Sequence, residues 1–318
     1  MPVPAPDASA LTSWVADAVT APSMHNAQPW SFRYERARGV LTLRPDPART
    51  MPNADPSTRG LHIGCGAALF NLRVAAAHAG WAARIRLLPE DTDPGTPAVI
   101  TFVPGDEEEG VAGLHPAIGR RRTNREPFGD EAVPQALLDG LRGAARAEGA
   151  RLEFPDDWQV QQLLDLAWEA EYLEKLSPAV REEVARWASE GIPPSALGPR
   201  RHESRGPVRD LAGGRRIEGR AAAVFERSPC LAVLGTRGDA REDWLRAGQA
   251  MERVLLQATL DGLAASLNSQ ALEWRELRWL LRDPLSETGH PQMLIRLGYG
   301  PDVPPTARRP VSDVLTIV

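Results

Sequence analysis

Ala21-Pro22-Ser23-Met24-His25-Asn26-Ala27-Gln28-Pro29-Trp30, residues 21–30, is the stretch on which the reading of the fold turns. Two prolines restrict its backbone, while a hydroxyl and two amides supply uncharged donors and acceptors. It falls between two regular elements. Before it, Asp7–Val19 carries helical apolar spacing (Leu11, Trp14, Val15, Ala18) behind a cap at Asp7 or Ser9. After it, Trp30–Tyr34 reads as a strand. A rigid polar loop in this position suits the polar edge of an extended ligand. It equally suits a capped helix end with a Trp anchor, and spacing alone does not choose between them.

Outward from this loop the chain alternates helices and short strands. Val40–Arg44, Ala83–Leu88 and Ala98–Val103 have strand patterns, and Leu61–Ala79 is an Ala- and Leu-rich helix stopped by Gly80. The acidic segment Pro104–Gly113 reads as an exposed linker. Helices are expected at Leu114–Arg122, Glu131–Glu148, Trp158–Glu190, Trp244–Leu260 and Leu272–Arg282. Strands are expected at Cys230–Gly235 and Met293–Leu297, and a last helical turn at Pro310–Leu315. Gly191–Arg216, dense in Pro, Gly and Arg, breaks the pattern and reads as a long loop or lid. A small-residue helix ending in glycine occurs twice, at Leu61–Gly80 and Ala247–Gly262, each followed by short strands. The order predicts an α+β fold.

Three further clusters carry chemistry. Arg120-Arg121-Arg122-Thr123-Asn124-Arg125-Glu126-Pro127-Phe128 packs four arginines into six residues, and guanidinium forks match phosphate bidentately. The alternative is a solvated basic turn. Arg308-Arg309-Pro310 offers another guanidinium or a solvated tail. Ser266–Glu273 (SLNSQALE) places Asn268, Ser269 and Gln270 at a strand end, facing a polar heterocycle edge or capping the next helix. Gly64-Cys65-Gly66-Ala67-Ala68-Leu69 faintly resembles a dinucleotide fingerprint. No hydrophobic strand precedes it, so close helix packing is the expected role. The six histidines show no metal-ligand spacing.

Composition narrows the classes. The 318 residues are 42% hydrophobic and 25% charged, with 37 basic against 42 acidic side chains and a net charge of −5. That balance gives no general reason to expect nucleic acid or an anionic membrane as partner. Lys175 is the single lysine, so a phosphate site must use guanidinium or backbone N–H donors. Cys65 and Cys230 are expected as buried thiols. We see no signal peptide and no run approaching the roughly 20 apolar residues of a membrane span, so a cytoplasmic location is expected.

Taken in order, these motifs resemble the nitroreductase family of FMN flavoproteins. Pro22 through Trp30 matches the family's P-S-x-x-N-x-Q-P-W loop without a gap. Arg121 through Phe128 is similar to its R-R-S-x-R-x-F motif, with Thr for Ser and one extra residue. Leu294 through Tyr299, followed by Arg308-Arg309-Pro310, resembles its C-terminal strand and arginine. In ordinary members the arginine motif precedes the loop within one subunit, and each flavin draws on both subunits of a dimer. Here the order is reversed. The resemblance therefore implies two diverged halves on one chain, residues 1–113 and 114–318, forming a pseudo-dimer with one FMN site. It looks like the single-chain, Acg-type subgroup, with 191–216 as the covering segment. By motif position, Arg121, Thr123, Arg125 and Arg308 would hold phosphate and ribityl chain. Pro22, Ser23, Met24 and Asn26 would meet the isoalloxazine, with Ser269 and Gln270 near its polar edge. The implied activity is hydride transfer from a reduced nicotinamide through FMN to a nitroaromatic, quinone or similar small acceptor. The alternative is a flavin-sequestering protein. No protein acid or base is assigned, no metal is implied, and a monomer would suffice.

Overall fold

The computed structural model describes residues 5–90, 93, 95–105, 110–202, 206–212, 215–282 and 289–318. The sequence readings for the first four residues, part of the acidic linker (106–109) and parts of the lid (203–205 and 213–214) lie outside them.

In the first half, α1 (Ala8–Ala18) is capped by Asp7, whose carboxylate accepts from Ala10 N at 2.7 Å. The strands β1 (Trp30–Glu35) and β2 (Val40–Pro45) form a hairpin. Helix α2 (Arg59–His78) follows, then β3 (Trp81–Leu87) and β4 (Ala98–Pro104). The second half holds α3 (His115–Ile118), α4 (Gln135–Ala147), β5 (Arg151–Glu153), α5 (Asp157–Leu176) and α6 (Pro178–Gly191). Then come the two-residue strands β6 (Arg200–Arg201) and β7 (Ala222–Ala223), β8 (Cys230–Thr236), α7 (Arg241–Leu260) and β9 (Ala264–Asn268). The chain closes with α8 (Gln270–Glu273), α9 (Arg275–Leu280), β10 (His290–Gly298), α10 (Val311–Val314) and β11 (Leu315–Ile317).

The elements form an α+β architecture with two main sheets. One has the order β11-β1-β2-β4-β3, the other β5-β8-β10-β9. Every pair in both is antiparallel except β1 with β11, where Phe32 lies opposite Leu315. The sequence signals only a helical turn at the end of the chain. The structure adds a strand there, which carries the second half back into the sheet of the first.

Helices α2 and α7 pack between the sheets and share one core running from Leu11 to Val314. Their approach is set by glycine. A Cβ on Gly66 would sit 2.2 Å from the Leu245 carbonyl oxygen, and one on Gly248 would sit 2.0 Å from that of Ile63. The faint fingerprint at 64–69 is therefore a helix-packing seam. Gly64 and Gly60 lie under the 22–29 loop instead, with Ser23 Cβ and Met24 Sδ at 3.3 and 2.9 Å from their would-be Cβ positions. Both helices are followed by glycines in the left-handed region, Gly80 (φ +78) and Gly262 (φ +77).

By length and mean hydropathy (1.2) α2 would pass as a membrane span, contrary to the sequence reading, but 83% of that window is buried inside the protein. Other boundaries differ for local reasons. The helix expected over Trp158–Glu190 breaks at Ser177, whose extended backbone precedes Pro178. That expected over Leu114–Arg122 stops at Ile118, which frees the arginines for a loop. Leu272–Arg282 splits into α8 and α9 at Trp274. Both cysteines are free thiols; Cys65 is buried as expected, whereas Cys230, at the start of β8, is half-buried. Burial pushes Cys65 up to about 12 and Cys230 to about 11.

The helix seam is testable by chemical denaturation. Gly248→Ala should cost about 1–3 kcal/mol or more, because overpacking against a backbone cannot relax by a rotamer change. Gly140→Ala, in α4 with nothing within 4 Å of the added Cβ, should instead gain about 0.5–1 kcal/mol.

Candidate functional site

A cavity of about 1010 Å³ lies where the 22–26 loop, the start of α2, the 123–125 loop, α7, the end of β9 and the C-terminal segment converge. The 22–29 loop is held in an uncommon shape. His25, Asn26 and Gln28 all have positive φ (49°, 57° and 52°). Hydrogen bonds sustain it: Gln28 N donates to Ser23 Oγ at 2.9 Å, and Gln28 Oε1 accepts from Arg309 N at 2.8 Å. Asn26 is a hub. Its Nδ2 donates to Gly191 O (2.7 Å) and Ala307 O (3.0 Å), and its Oδ1 accepts from Arg308 Nη1 (3.2 Å).

The arginine motif meets this loop from the other half. Thr123 forms a bridge with Ala265, and Asn124 N donates to Ala265 O at 2.8 Å, which anchors the loop beside β9. Arg125 lines the cavity and donates to Ala196 O at 3.1 Å; burial lowers its pKa to about 10. Arg308 lines it from the C-terminal segment, its Nη2 donating to Thr20 O at 2.9 Å. Burial, then the neighbouring Arg121, brings Arg308 down to about 10.

Of the residues singled out from sequence, Pro22, Ser23, Met24, Asn26, Thr123, Arg125, Ser269 and Arg308 line the one cavity. Arg121 and Gln270 do not. Arg121 stands behind Arg308, sharing the Thr20 carbonyl at 3.3 Å and facing Glu252 at 3.5 Å. Gln270 turns its side chain away to donate to Glu174 Oε2 at 3.0 Å. Phe128, at the end of the arginine motif, stacks under the buried Arg296 guanidinium at 3.6 Å.

The walls differ in character. Met251, Leu267, Leu272, Met293 and Trp244 give an apolar side. Ile192, Val208, Arg209 and Leu211, all from the segment read as a lid, line it too. That segment is fastened at two of its described residues. Besides the Asn26 contact to Gly191, Arg209 is buried between Glu174 (2.8 Å) and Glu273 (2.7 Å).

Several cavity residues escaped the sequence reading. His25 sits inside the quoted loop. Burial first, then Arg209 and Arg125, holds its imidazole well below its usual pKa and hence neutral. Arg59 donates to Gln292 O at 2.6 Å and Leu272 O at 3.2 Å; burial, then Arg278, lowers it to about 10. Asp55 accepts from Leu61 N at 2.9 Å, yet burial raises its carboxyl to about 6. An arginine opening an otherwise apolar helix is the one signal that would have found Arg59. Among the described residues no group of His, Cys, Asp or Glu is arranged to hold a metal.

A cavity joining this loop to this arginine motif invites comparison with known proteins. The model of the nitroreductase family matches residues 118–299, more than half the chain. The chain belongs to the nitroreductase family. It is 32% identical to the Mycobacterium tuberculosis protein named "Putative NAD(P)H nitroreductase acg" over 98% of both chains. It is 33% identical to "Uncharacterized protein Rv3127" of the same organism, over 96% of this chain and 93% of that one. Among solved structures, a nitroreductase with bound FMN from Desulfitobacterium hafniense covers 64% of this chain at 15% identity and a TM-score of 0.40. Membership of the family makes the α+β fold described above nitroreductase-like, and residues 22–30 lie outside the segment the family model matches.

Asp55 makes a pH prediction. Its folded pKa lies above the unfolded value, so the native state binds the proton more tightly and stability falls as pH rises from about 4 through about 6. The wild-type minus Asp55→Asn difference in unfolding free energy should change by on the order of 2–3 kcal/mol across that window and be flat above pH 7. A difference independent of pH would mean Asp55 is not buried as a titrating acid.

Proposed function

We propose that the cavity binds one FMN per chain, and that the protein uses it to pass hydride from a reduced nicotinamide to a nitroaromatic, quinone or similar small acceptor. One observation carries this reading: a single cavity gathers the 22–26 loop and the 123–125 loop from opposite halves, with buried arginine N–H groups left over. Arg308 Nε, on the cavity wall, is sealed from solvent without a hydrogen-bond partner; behind it Arg121 Nη1 also lacks one, while Arg121 Nε faces Glu252 at 3.5 Å. Orphaned guanidinium donors fit an anion, because leaving them unmade costs the full desolvation penalty.

The residues fit the parts of the cofactor. Arg308 and Arg125 with Thr123 would take the phosphate end, and Arg121 supports them from behind. The apolar side formed by Met251, Leu267 and Met293 suits a planar ring system, while Ser23, Asn26 and Ser269 offer polar groups for its edge. The flavin supplies the redox chemistry; the protein binds it, orients it and limits water. No side chain is assigned as acid or base. We also read the chain as two diverged nitroreductase-like halves, residues 1–113 and 114–318, that make a pseudo-dimer. The paired glycine-stopped helices α2 and α7 support this.

A second reading is favoured by the lid. With Gly191 fastened to Asn26 and Arg209 to two glutamates, the wall formed by Ile192, Val208 and Leu211 is one that a second substrate would have to displace, and the protein would then hold FMN without turnover.

Purified protein should show flavin absorption bands and release about one FMN per chain. Arg308→Ala should weaken FMN binding by about 10- to 100-fold, the worth of a charge-assisted contact of roughly 1.5–3 kcal/mol. A colourless protein that takes up no added FMN would remove the flavin reading. Under anaerobic conditions, rapid bleaching by NADPH supports the reductase, and a flavin that stays oxidised supports sequestration.

A further inference from the structure

Behind the arginines of the cavity lies a carboxylate that the flavin reading does not use. Glu252, midway along α7, has no exposed surface. Its Oε1 stands 3.5 Å from Arg121 Nε, longer than a normal charge-assisted hydrogen bond, and neither oxygen has a partner in good hydrogen-bond geometry, although the Asn71 side chain lies against the carboxylate. The groups facing it come from three directions. From α2 comes the fully buried Asn71, whose Oδ1 is also unpartnered. From the loop after α3 comes Arg121, and from the C-terminal segment Arg308, which in turn feels Arg122. Arg121 and Arg308 are tied together by the shared Thr20 carbonyl at 3.3 and 2.9 Å.

The spacing matters chemically. A buried arginine–carboxylate pair with good geometry would lock its guanidinium donors to the acid. Here the acid balances charge from a distance and leaves Arg121 Nε and Nη1 and Arg308 Nε uncommitted. A phosphate brought beside Arg308 competes with Glu252 for the same two positive charges, and like charge disfavours the ionised acid.

Resting on the reading of this end as a phosphate site, we propose that Glu252 is a positioning residue and proton-linked counter-ion: ionised it balances the Arg121–Arg308 pair, and it takes up a proton from water when a phosphate monoester dianion binds there. Burial already raises its carboxyl to about 7, with Arg121, Asn71 and Arg308 acting in the opposite sense, so the bound phosphate acts on an acid poised in the neutral range. Reciprocity then fixes the sign: if phosphate favours the protonated acid, protonation favours phosphate by the same factor. Affinity for a phosphate-bearing ligand falls as pH rises through the neutral range. A ligand identical except for the phosphate shows no such fall.

FMN and riboflavin are that pair of probes. Titrations of the cofactor-free protein between pH 7 and 9 keep the FMN phosphate dianionic, since its second ionisation lies near pH 6. A one-unit rise in the pKa of Glu252 on binding predicts about a fivefold loss of FMN affinity across that window. Riboflavin affinity should stay level, and Glu252→Gln should abolish the FMN slope. Calorimetry of the wild-type protein in buffers of different ionisation enthalpy needs no variant. It should show uptake of about half a proton per FMN at pH 7.5 and none per riboflavin. Equal FMN slopes in wild type and Glu252→Gln, or no proton uptake, would retire Glu252 while leaving the phosphate site intact. FMN and riboflavin bound equally well at every pH would remove the phosphate site and the role of Glu252 with it.

Discussion

The close contact of α2 with α7 is the constraint on which the rest depends. Two twenty-residue helices meet with Gly66 and Gly248 at the seam, and neither can carry a side chain without driving it into the opposing backbone. That approach sets the separation of the two sheets and brings the start of α2, with Asp55 and Arg59, within reach of Trp244 and Met251 on α7. Helix α2 also spends small residues on its other side. Gly60 and Gly64 let the Pro22–Pro29 loop lie on the helix, so one run of glycines serves the core and the cavity at once.

Sequence patterning reached the frame because the frame is regular. Strand-like runs marked β1 to β4, β8 and β10, with clear alternation at β3, while the three-residue β5 carried no such signal; the apolar spacing of Leu11, Trp14, Val15 and Ala18 marked α1, whose cap at Asp7 is one of the two expected. Breaks governed by tertiary context were less legible. β11 is three residues long and exists because Phe32–Tyr34 offers it an open edge, a partner almost the whole chain away. The cavity showed the same division. Eight of the ten residues chosen by motif line it, because the motifs name backbone positions. Arg121 and Gln270 do not: Arg121 donates to the Thr20 carbonyl and faces Glu252, and Gln270 donates to Glu174, partners that no local pattern connects to them. Arg209 and Glu273 belong to that hidden class too.

Positive charge in this chain is almost wholly arginine, and the structure deals with much of it by pairing. Arg209 is clamped by two glutamates, Arg278 makes a two-point contact with Asp239 (2.6 and 2.9 Å), and Arg296 is held by Glu226 over the Phe128 ring. These pairs fix loops, since a planar fork with two partners tolerates little rotation. Arg121 and Arg308 lack such a clamp: Arg121 faces Glu252 only at 3.5 Å, and Arg308 donates to Asn26, Thr306 and backbone carbonyls rather than to a carboxylate. Sites of function in proteins of ordinary stability are where such local rules are broken.

The return of the C-terminal segment into the first sheet also orders events in time. The cavity takes its parts from residues 22–26, 55–60, 123–125, 251, 267–272 and 306–308, so the earliest and latest of them are separated by nearly the whole length of the polypeptide. During vectorial synthesis the 22–26 loop would leave the ribosome long before Arg308 exists, and β1 would wait with an unpaired edge until β11 arrives. Such long-range closure is slow compared with the pairing of β1 with β2. The shape of the cavity is therefore the final product of folding, and a nascent chain carries the 22–26 loop for most of its synthesis before the other walls exist.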